Sequence, residues 1–171
     1  GKVSADNPWY NVDSPNPVFS WGYDFDHQSD ATERFVDSVN HFWLTEYQVD
    51  GFRFDFTKGF TNTPGDGGGY DQSRINILKR MASQIWQIKE DAYVILEHFA
   101  VNAEEYELSE VGMMLWGNLN HAYNQSTMGY MDGSDFSHIS YLERFWNMPL
   151  LVGYMESHDE ERLMYKNLEF G

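Results

Sequence analysis

Three carboxylates stand at or just after the ends of apolar segments of the sequence. Asp55 closes "GFRFD", Glu97 closes "AYVILE", and Asp159 comes shortly after "LLVGYMES". If these segments are parallel strands, their carboxyl ends converge on one face, where α/β folds bind ligands. Like charges held close together separate their pKa values, which leaves one group protonated and another ionised. One acid and one nucleophile are what hydrolysis of a glycosidic bond requires.

Each of these charged residues also has an ordinary structural interpretation. Arg53 and Asp55 are two residues apart and share a face of a strand, where they can form a structural ion pair. Glu97 can be a helix cap or a surface group, and His158 with Asp159 can be a loop pair. The chain order of the three carboxylates, each at a strand end, favours a site.

Helices alternate with these apolar segments. Ser29 or Asp30 can cap a helix expected over residues 31–47, and a second helix is expected over 72–89. The buried stripe of the second helix is predicted to contain Ile75, Leu78, Met81, Ile85 and Ile88. A short helix is predicted over 103–109 and an uneven helical pattern over 120–146. Strands are predicted at 49–54 and within 92–97, 111–117 and 150–157.

The predicted strands are near-continuous apolar runs, which is typical of parallel strands covered on both faces. Strands of this kind in alternation with helices predict an α/β fold. The chain has 171 residues, enough for one domain with a sizeable core.

Composition narrows the classes of partner. The formal net charge is −16 and there is no basic patch, so nucleic-acid binding is not expected. There is no cysteine, which excludes disulfides and thiolate metal sites, and the histidines lack a ligand spacing such as HExxH. No apolar run approaches the roughly 18 residues of a membrane span. The start, "GKVSADNPWY", is not a signal peptide and is expected to be an internal cut, which leaves the compartment open.

The aromatic content is high, with 12 Phe, 11 Tyr and 6 Trp. Aromatic rings pack cores, and they also provide flat platforms for sugars. Position alone makes seven of them candidates for either role: Trp9, Tyr10, Trp21, Phe56, Phe60, Tyr70 and Phe99.

Three segments resemble sequence signatures of the α-amylase family, glycoside hydrolase family 13. "VDGFRFD" resembles the second signature, "VILEHFA" is similar to the third, and "YMESHDEER" is similar to the fourth. The family fold is a (β/α)8 barrel with a small domain inserted after the third strand. The resemblance implies that residues 1–30 are the tail of that loop-rich inserted subdomain. It implies that residues 31–171 run from the third barrel helix to the seventh strand, roughly a half barrel.

The resemblance also implies a role for each site residue. Asp55 would be the nucleophile, and Arg53 would keep it ionised. Glu97 would protonate the leaving oxygen and then deprotonate the incoming water. Asp159, the third catalytic residue, would bind sugar hydroxyls and stabilise the oxocarbenium-like transition state, and His158 would donate to the same sugar. Lys58 would contact the sugar on the leaving-group side.

Two departures from the family pattern bear on these expectations. Gly59 stands where the family has a histidine after the lysine, which places the acceptor side in question. The first signature and barrel strands one to three and eight have no counterpart, and a full barrel needs about 250 residues. The chain is therefore expected to be a fragment with little or no activity alone. Its outer strands would be open edges that invite self-association.

Several functions remain open on these residues. The leading hypothesis is a retaining hydrolase of starch-like α-glucans or maltooligosaccharides. An α-glucanotransferase or branching enzyme would use the same residues, and a sugar-binding relative without catalysis is the alternative from another class. The chemistry needs no cofactor. The family resemblance makes a structural calcium in the parent enzyme an open expectation, with oxygen ligands among the Asp and Asn residues of 1–30.

Overall fold

The protein folds around a four-stranded parallel sheet covered by helices. The computed structural model describes residues 3–171. In chain order the elements are α1 (Asp30–Glu46), β1 (Gly51–Phe54), α2 (Gln72–Ile88), β2 (Tyr93–Leu96), α3 (Asn102–Ser109), β3 (Met114–Asn118), α4 (Asn120–Met128), β4 (Leu151–Tyr154) and α5 (Leu163–Phe170). Single-turn 3-10 helices lie at Thr57–Gly59 and Ser137–Ile139. The predicted alternation of strands and helices is confirmed.

The sheet follows the order of the chain, β1-β2-β3-β4, and all three strand pairs are parallel. Phe54 pairs with Leu96, and Leu96 in turn pairs with Leu115. The segments that leave β1 and β2 therefore start at the same level. Parallel strands run in the same direction, because each crossover connection carries the chain back to the end where strands begin. The carboxyl ends of β1 and β2, and the segments that leave them, therefore lie at the same end of the sheet.

The two long helices begin at side-chain caps. The Ser29 side chain accepts hydrogen bonds from the backbone N–H groups of Ala31 and Thr32, as expected for α1. Asp71 does the same for Ser73 and Arg74 at the start of α2. These caps satisfy N–H groups that have no partner within the helix.

The core lies between α2, α3 and the sheet. Its fully buried apolar side chains include Ile75, Leu78, Ile85, Val94, Leu96, Leu108 and Leu115. Four of the five residues predicted for the buried stripe of α2 are buried. Ile88 is the exception, at 39% exposure, because it is the last residue of the helix.

The apolar residues that indicated α1 stay partly open to solvent. Phe35, Val39, Phe42 and Trp43 are between 38% and 48% exposed, whereas Leu44 is buried. Within residues 3–171, β1 and β4 each pair with a single neighbour. Both outer strands thus keep unpaired backbone groups along one side. Self-association through these edges stays a prediction.

Two segments differ from the sequence-based expectation. Residues 129–146 were predicted to be helical, but α4 ends at Gly129 in the left-handed conformation (φ 82°), and only the turn at Ser137–Ile139 follows. Helix α5 was not predicted. Among the helices of residues 3–171, none has the length and apolar character needed to cross a bilayer.

Candidate active site

Asp55 and Glu97 lie close together at the carboxyl end of the sheet, directly after the last residues of β1 and β2. A single guanidinium nitrogen joins them: Nη1 of Arg53 lies 2.5 Å from Asp55 Oδ1 and 2.7 Å from Glu97 Oε2. Asp55 is largely exposed, whereas Glu97 is buried. The arginine that the sequence placed on the same strand face as Asp55 therefore bridges both carboxylates.

The two carboxyl groups have pKa values shifted in opposite directions. Burial raises the pKa of Glu97, and its contact with the negatively charged Asp55 raises it further. Partial burial also acts to raise the pKa of Asp55. However, its hydrogen bonds with Arg53 and Glu97 and the positive charges of Arg53 and His158 lower that pKa below its usual range. The pair therefore holds a proton on Glu97 under conditions in which Asp55 is ionised.

His158 joins the pair from the loop after β4. Its Nε2 lies 3.3 Å from Asp55 Oδ1 and 3.5 Å from Asp159 Oδ1. A carboxylate oxygen of Asp55, a carboxylate oxygen of Glu97 and a ring nitrogen of His158 all lie within 4.8 Å of one another. Such a trio can in general bind a cation. Here the Arg53 guanidinium already contacts both carboxylates and supplies the positive charge that a metal ion would supply. The geometry therefore favours a carboxylate pair with an arginine counter-ion over a metal centre.

The pair opens into a cavity of about 680 Å³ at this end of the sheet. That volume suits a small organic ligand. Of the six residues to which the family resemblance gave a role, all except Arg53 line it: Asp55, Lys58, Glu97, His158 and Asp159. Asp159 is largely exposed there, and its backbone N–H is held by Ser157 Oγ at 3.2 Å.

One wall of the cavity is aromatic. Phe19, Trp21 and Phe56 contact one another at centroid distances of 5.3 to 5.9 Å. The Lys58 ammonium lies 4.6 Å from the Phe19 ring centroid. Of the seven aromatic candidates, Trp21, Phe56 and Phe99 line the cavity; Trp9, Tyr10, Phe60 and Tyr70 do not.

Two of these aromatic residues have strained backbones beside the carboxylates. Phe56, directly after Asp55, has φ 47°, and Phe99, two residues after Glu97, has φ 53°. Left-handed conformations are costly for bulky residues and concentrate at functional sites. The Phe56 ring covers Gly59, where a Cβ atom would lie 2.8 Å from two ring atoms. Glycine at this position thus leaves room for the ring.

Five cavity or site residues were not found from the sequence: Phe19 of the aromatic wall, Asn118, Tyr154, Glu160 and Trp116. Asn118 and Tyr154, at the ends of β3 and β4, contact Oε1 of Glu160 at 2.6 and 3.3 Å. Glu160 also accepts hydrogen bonds from the backbone and hydroxyl of Ser157, which braces the loop that carries His158. Trp116 on β3 stacks on Arg53, with 4.5 Å between the guanidinium carbon and the ring centroid. The strand-end rule that found Asp55 also points to Asn118.

A second polar cluster joins the N-terminal segment to the loop after β1. Asn11 Nδ2 donates to Asp24 Oδ2 and Asn62 Oδ1, at 2.7 and 2.9 Å. Asn62 Nδ2 donates to Asp26 Oδ1 and Gln28 Oε1, at 2.8 and 3.1 Å. These carboxylate and amide oxygens have the donor chemistry of a calcium site.

Comparison with known proteins bears on the fold. No protein-family model matches the chain, and no curated protein matches it. Among solved structures, Eubacterium rectale Amy13B matches with a TM-score of 0.52 and 22% identity. The match covers 65% of this chain and 21% of that one, so this chain aligns with about a fifth of the length of Amy13B. The likeness is one of fold. Together with the parallel sheet, it gives an α/β fold that is a partial (β/α)8 barrel.

Proposed function

We propose that the protein belongs to a retaining glycoside hydrolase that cleaves α-glucosidic bonds in starch-like polysaccharides or maltooligosaccharides. The observation that carries this proposal is the Asp55–Glu97 pair, in which burial favours a protonated Glu97 and Arg53 favours an ionised Asp55. The two carboxyl groups share one guanidinium nitrogen, and an oxygen of each lies within 4.8 Å of the other, which is compatible with the short carboxyl spacing of retaining enzymes, roughly 5 to 5.5 Å.

In the first step, a carboxylate oxygen of Asp55 attacks the anomeric carbon of the sugar. The glycosidic C–O bond breaks, and its electron pair goes to the leaving oxygen, which takes the proton of Glu97. The product is a glycosyl ester on Asp55 and a free sugar hydroxyl. Arg53 remains paired with the now ionised Glu97 at 2.7 Å, which stabilises the charge that has moved.

In the second step, Glu97 takes a proton from water while the water oxygen attacks the anomeric carbon. The ester C–O bond breaks and its electron pair returns to Asp55. Two inversions at one carbon give net retention. In the same proposal, His158 and Asp159 hold sugar hydroxyls beside Asp55, and Lys58 with the aromatic wall contacts the sugar on the leaving-group side.

The substrate class rests on three signature-like segments and on the fold likeness to a protein named Amy13B. We also propose that residues 1–30 belong to an inserted subdomain and residues 31–171 to the barrel of a longer parent enzyme. The outer sides of β1 and β4, which pair with no further strand within residues 3–171, support the barrel part of this proposal. The isolated chain is then expected to turn over little or no maltooligosaccharide, and measurable turnover by this chain alone would contradict the proposed division.

A trapping experiment tests the proposed roles. The parent enzyme, treated with a fluorinated α-glucosyl fluoride that forms a slowly hydrolysed ester, is expected to gain one glycosyl mass on the peptide containing Asp55. Asp55→Asn should abolish the adduct, and Glu97→Gln should slow natural substrates by about 10² to 10⁴-fold. Asp50→Asn, at an 86% exposed carboxylate just before β1, is the matched control and should change neither result.

Three outcomes of this experiment and of product analysis separate the candidate functions. An adduct on a different carboxylate would overturn the assignment of Asp55. Products longer than the substrate would indicate a transferase that uses the same residues. A folded parent that binds maltooligosaccharide without reacting would indicate a sugar-binding relative.

A further inference from the structure

A fully buried polar network lies directly behind the two carboxylates. Its members are Thr57, His98, Glu104 and Arg74, each no more than 1% exposed. Polar and charged side chains are costly to bury unless every group is paired. Here they are paired with one another and with the backbone of the segments that leave β1 and β2. We call this set the Thr57–Arg74 network.

The network begins at the residues just after the carboxylates. Thr57 comes two residues after Asp55, and His98 is the next residue after Glu97. The backbone N–H and the hydroxyl of Thr57 lie 2.9 and 3.0 Å from the backbone carbonyl oxygen of Glu97. The same hydroxyl oxygen is 3.0 Å from His98 Nδ1. The hydroxyl of Thr57 thus joins the chain after one carboxylate to the chain after the other.

The network continues from His98 to a buried ion pair. His98 Nε2 lies 2.9 Å from Glu104 Oε1. Arg74 Nε and Nη2 donate to the two oxygens of Glu104, at 2.6 and 2.8 Å. Burial acts to raise the pKa of Glu104, but the hydrogen bonds from His98 and Arg74 outweigh it and hold that pKa below its usual range. An ionised carboxylate only accepts, so His98 donates through Nε2.

The remaining guanidinium hydrogens of Arg74 hold the loop after β1. Nη1 donates to the carbonyl oxygens of Lys58 and Gly67, at 2.6 and 2.9 Å, and Nη2 donates to that of Gly69, at 2.8 Å. With the two bonds to Glu104, all five N–H groups of the side chain are used. The backbone of Lys58, whose side chain reaches the cavity, is therefore fixed to the same network.

We propose that the Thr57–Arg74 network is a positioning device that sets Glu97 against Asp55, with the Thr57 hydroxyl and His98 as positioning residues. It deepens the function proposed above and rests on that function for its effect on turnover. A network that only stabilised the core would have no need to join the two segments that begin at the carboxylates. Thr57 and His98 act through the backbone of Glu97 and have no contact with the cavity.

Two substitutions at Thr57 separate positioning from packing. Thr57→Val keeps the shape of the side chain and removes the hydroxyl, whereas Thr57→Ser keeps the hydroxyl and loses a methyl group. Thr32→Val is the matched control. Thr32 is also buried, and its hydroxyl donates to the backbone carbonyl oxygen of Trp9 at a distance of 2.8 Å. Thr32 does not line the cavity. His98→Gln is a second variant that removes the Nδ1 contact and keeps a donor for Glu104.

The first measurement uses the chain itself. Carbon-13 NMR of labelled Asp and Glu carboxyl groups gives the two apparent pKa values of the Asp55–Glu97 pair. Thr57→Val and His98→Gln are expected to reduce the separation of these two pKa values by about one unit. The separation depends on how strongly the two carboxyl groups interact, and a displaced Glu97 interacts less strongly with Asp55. Thr57→Ser and Thr32→Val are expected to leave the separation unchanged.

The second measurement uses the parent enzyme. Thr57→Val is expected to lower kcat by about 10²-fold, the effect of a small misplacement of a reacting group, with KM within about twofold. Thr57→Ser should restore kcat. The proposal would be overturned if Thr57→Val left the carboxyl pKa values and kcat unchanged. A melting temperature equal to that of Thr32→Val would then show that the Thr57 hydroxyl contributes to packing alone. A changed titration in a parent without glycosidase activity would support the network and contradict the proposed function instead.

Discussion

Asp55 and Glu97 leave neighbouring parallel strands at the same level, and one nitrogen of Arg53 contacts both carboxylates. This arrangement results from the pairing of Phe54 with Leu96. It gives the two carboxyl groups different environments although they are adjacent, since Glu97 is buried and Asp55 is largely exposed. The difference in burial and the shared arginine are the physical basis of separate acid and nucleophile roles.

The pH dependence of turnover should be a bell whose limbs both depend on Arg53. Activity requires an ionised Asp55, so it is lost as pH falls through a pKa that lies below its usual range. It also requires a protonated Glu97, so it is lost as pH rises through a pKa that lies above its usual range. Because the Arg53 charge lowers both pKa values, Arg53→Gln should move both limbs to higher pH, the acidic limb by about one to three units.

The limbs are read from kcat/KM of the parent enzyme between acid and neutral pH. The charged or titratable groups that face the pair are Arg53, His158, Asp159, Lys58, Tyr154 and Glu160. Asp50→Asn is the comparison variant, because it removes a charge that is 86% exposed and does not line the cavity, and its limbs should stay in place. Limbs that stay in place in Arg53→Gln would contradict the electrostatic role of the arginine.

Acid stability should depend on Glu104. Its pKa in the folded protein is below the ordinary value of 4.5, so its contribution to stability is fully present above pH 4.5 and is lost as pH falls through the folded-state pKa. Glu104→Gln breaks a buried ion pair and should cost about 3 to 5 kcal/mol near neutral pH. Urea unfolding should show that this cost shrinks as the pH falls below 4.5.

Glu107→Gln is the control for this measurement. Glu107 lies on the same helix and pairs with Lys79 at 2.6 Å, but both side chains are about a third exposed. An exposed pair contributes about 0 to 1 kcal/mol. Equal losses in the two variants would show that the buried pair has no special weight.

The close approach of Phe56 to Gly59 can be tested with a double-mutant cycle. Gly59→Ala would place a Cβ atom 2.8 Å from the ring and should cost about 1 to 3 kcal/mol of stability or displace the ring. In a Phe56→Ala background the same change should cost much less, because the ring is gone. Thermal unfolding gives the stabilities, and calorimetric titration with maltooligosaccharide gives the affinities. Additive effects would mean that the ring and the glycine are independent.

Calcium is proposed to bind the cluster of Asn11, Asp24, Asp26, Gln28 and Asn62. Calcium there would tie the N-terminal segment to the loop after β1, and at a hundredfold excess over its Kd it would add about 2.7 kcal/mol. The melting temperature should therefore rise with calcium and fall with a chelator. Asp24→Asn should remove the response, whereas Asp132→Asn, an exposed carboxylate outside the cluster, should keep it. An unchanged melting temperature at millimolar calcium would contradict the proposal.

Strand patterning was sufficient to predict the sheet and the convergence of Asp55 and Glu97. Near-continuous apolar runs identify parallel strands, and the residues at their carboxyl ends then lie at one edge of the sheet. Asn118 obeys the same rule, but its amide is uncharged and lacks the charge that marks Asp55 and Glu97 at the ends of apolar runs. The contacts of Glu160 with Tyr154 and Ser157 could not be predicted from the sequence, because they depend on the conformation of the loop after β4.

Helix patterning was less complete. The spacing of Phe35 and Val39 correctly indicated α1, but burial depends on which elements pack against a helix, and in this structure that face is half-open. The pattern over 129–146 also suggested a helix, although Gly129 ends α4. The Thr57–Arg74 network was not predicted, because Thr57, His98, Glu104 and Arg74 are spread over four segments and meet only in the folded chain.

The measurement that tests the central claim most directly is the anomeric configuration of the first product. Proton NMR monitors the parent enzyme with maltoheptaose in the first minutes, before mutarotation. Double displacement through Asp55 and Glu97 predicts that newly formed reducing ends appear as the α-anomer. Newly formed β-anomer would mean a single displacement by water, and would contradict the role of Asp55 as the nucleophile.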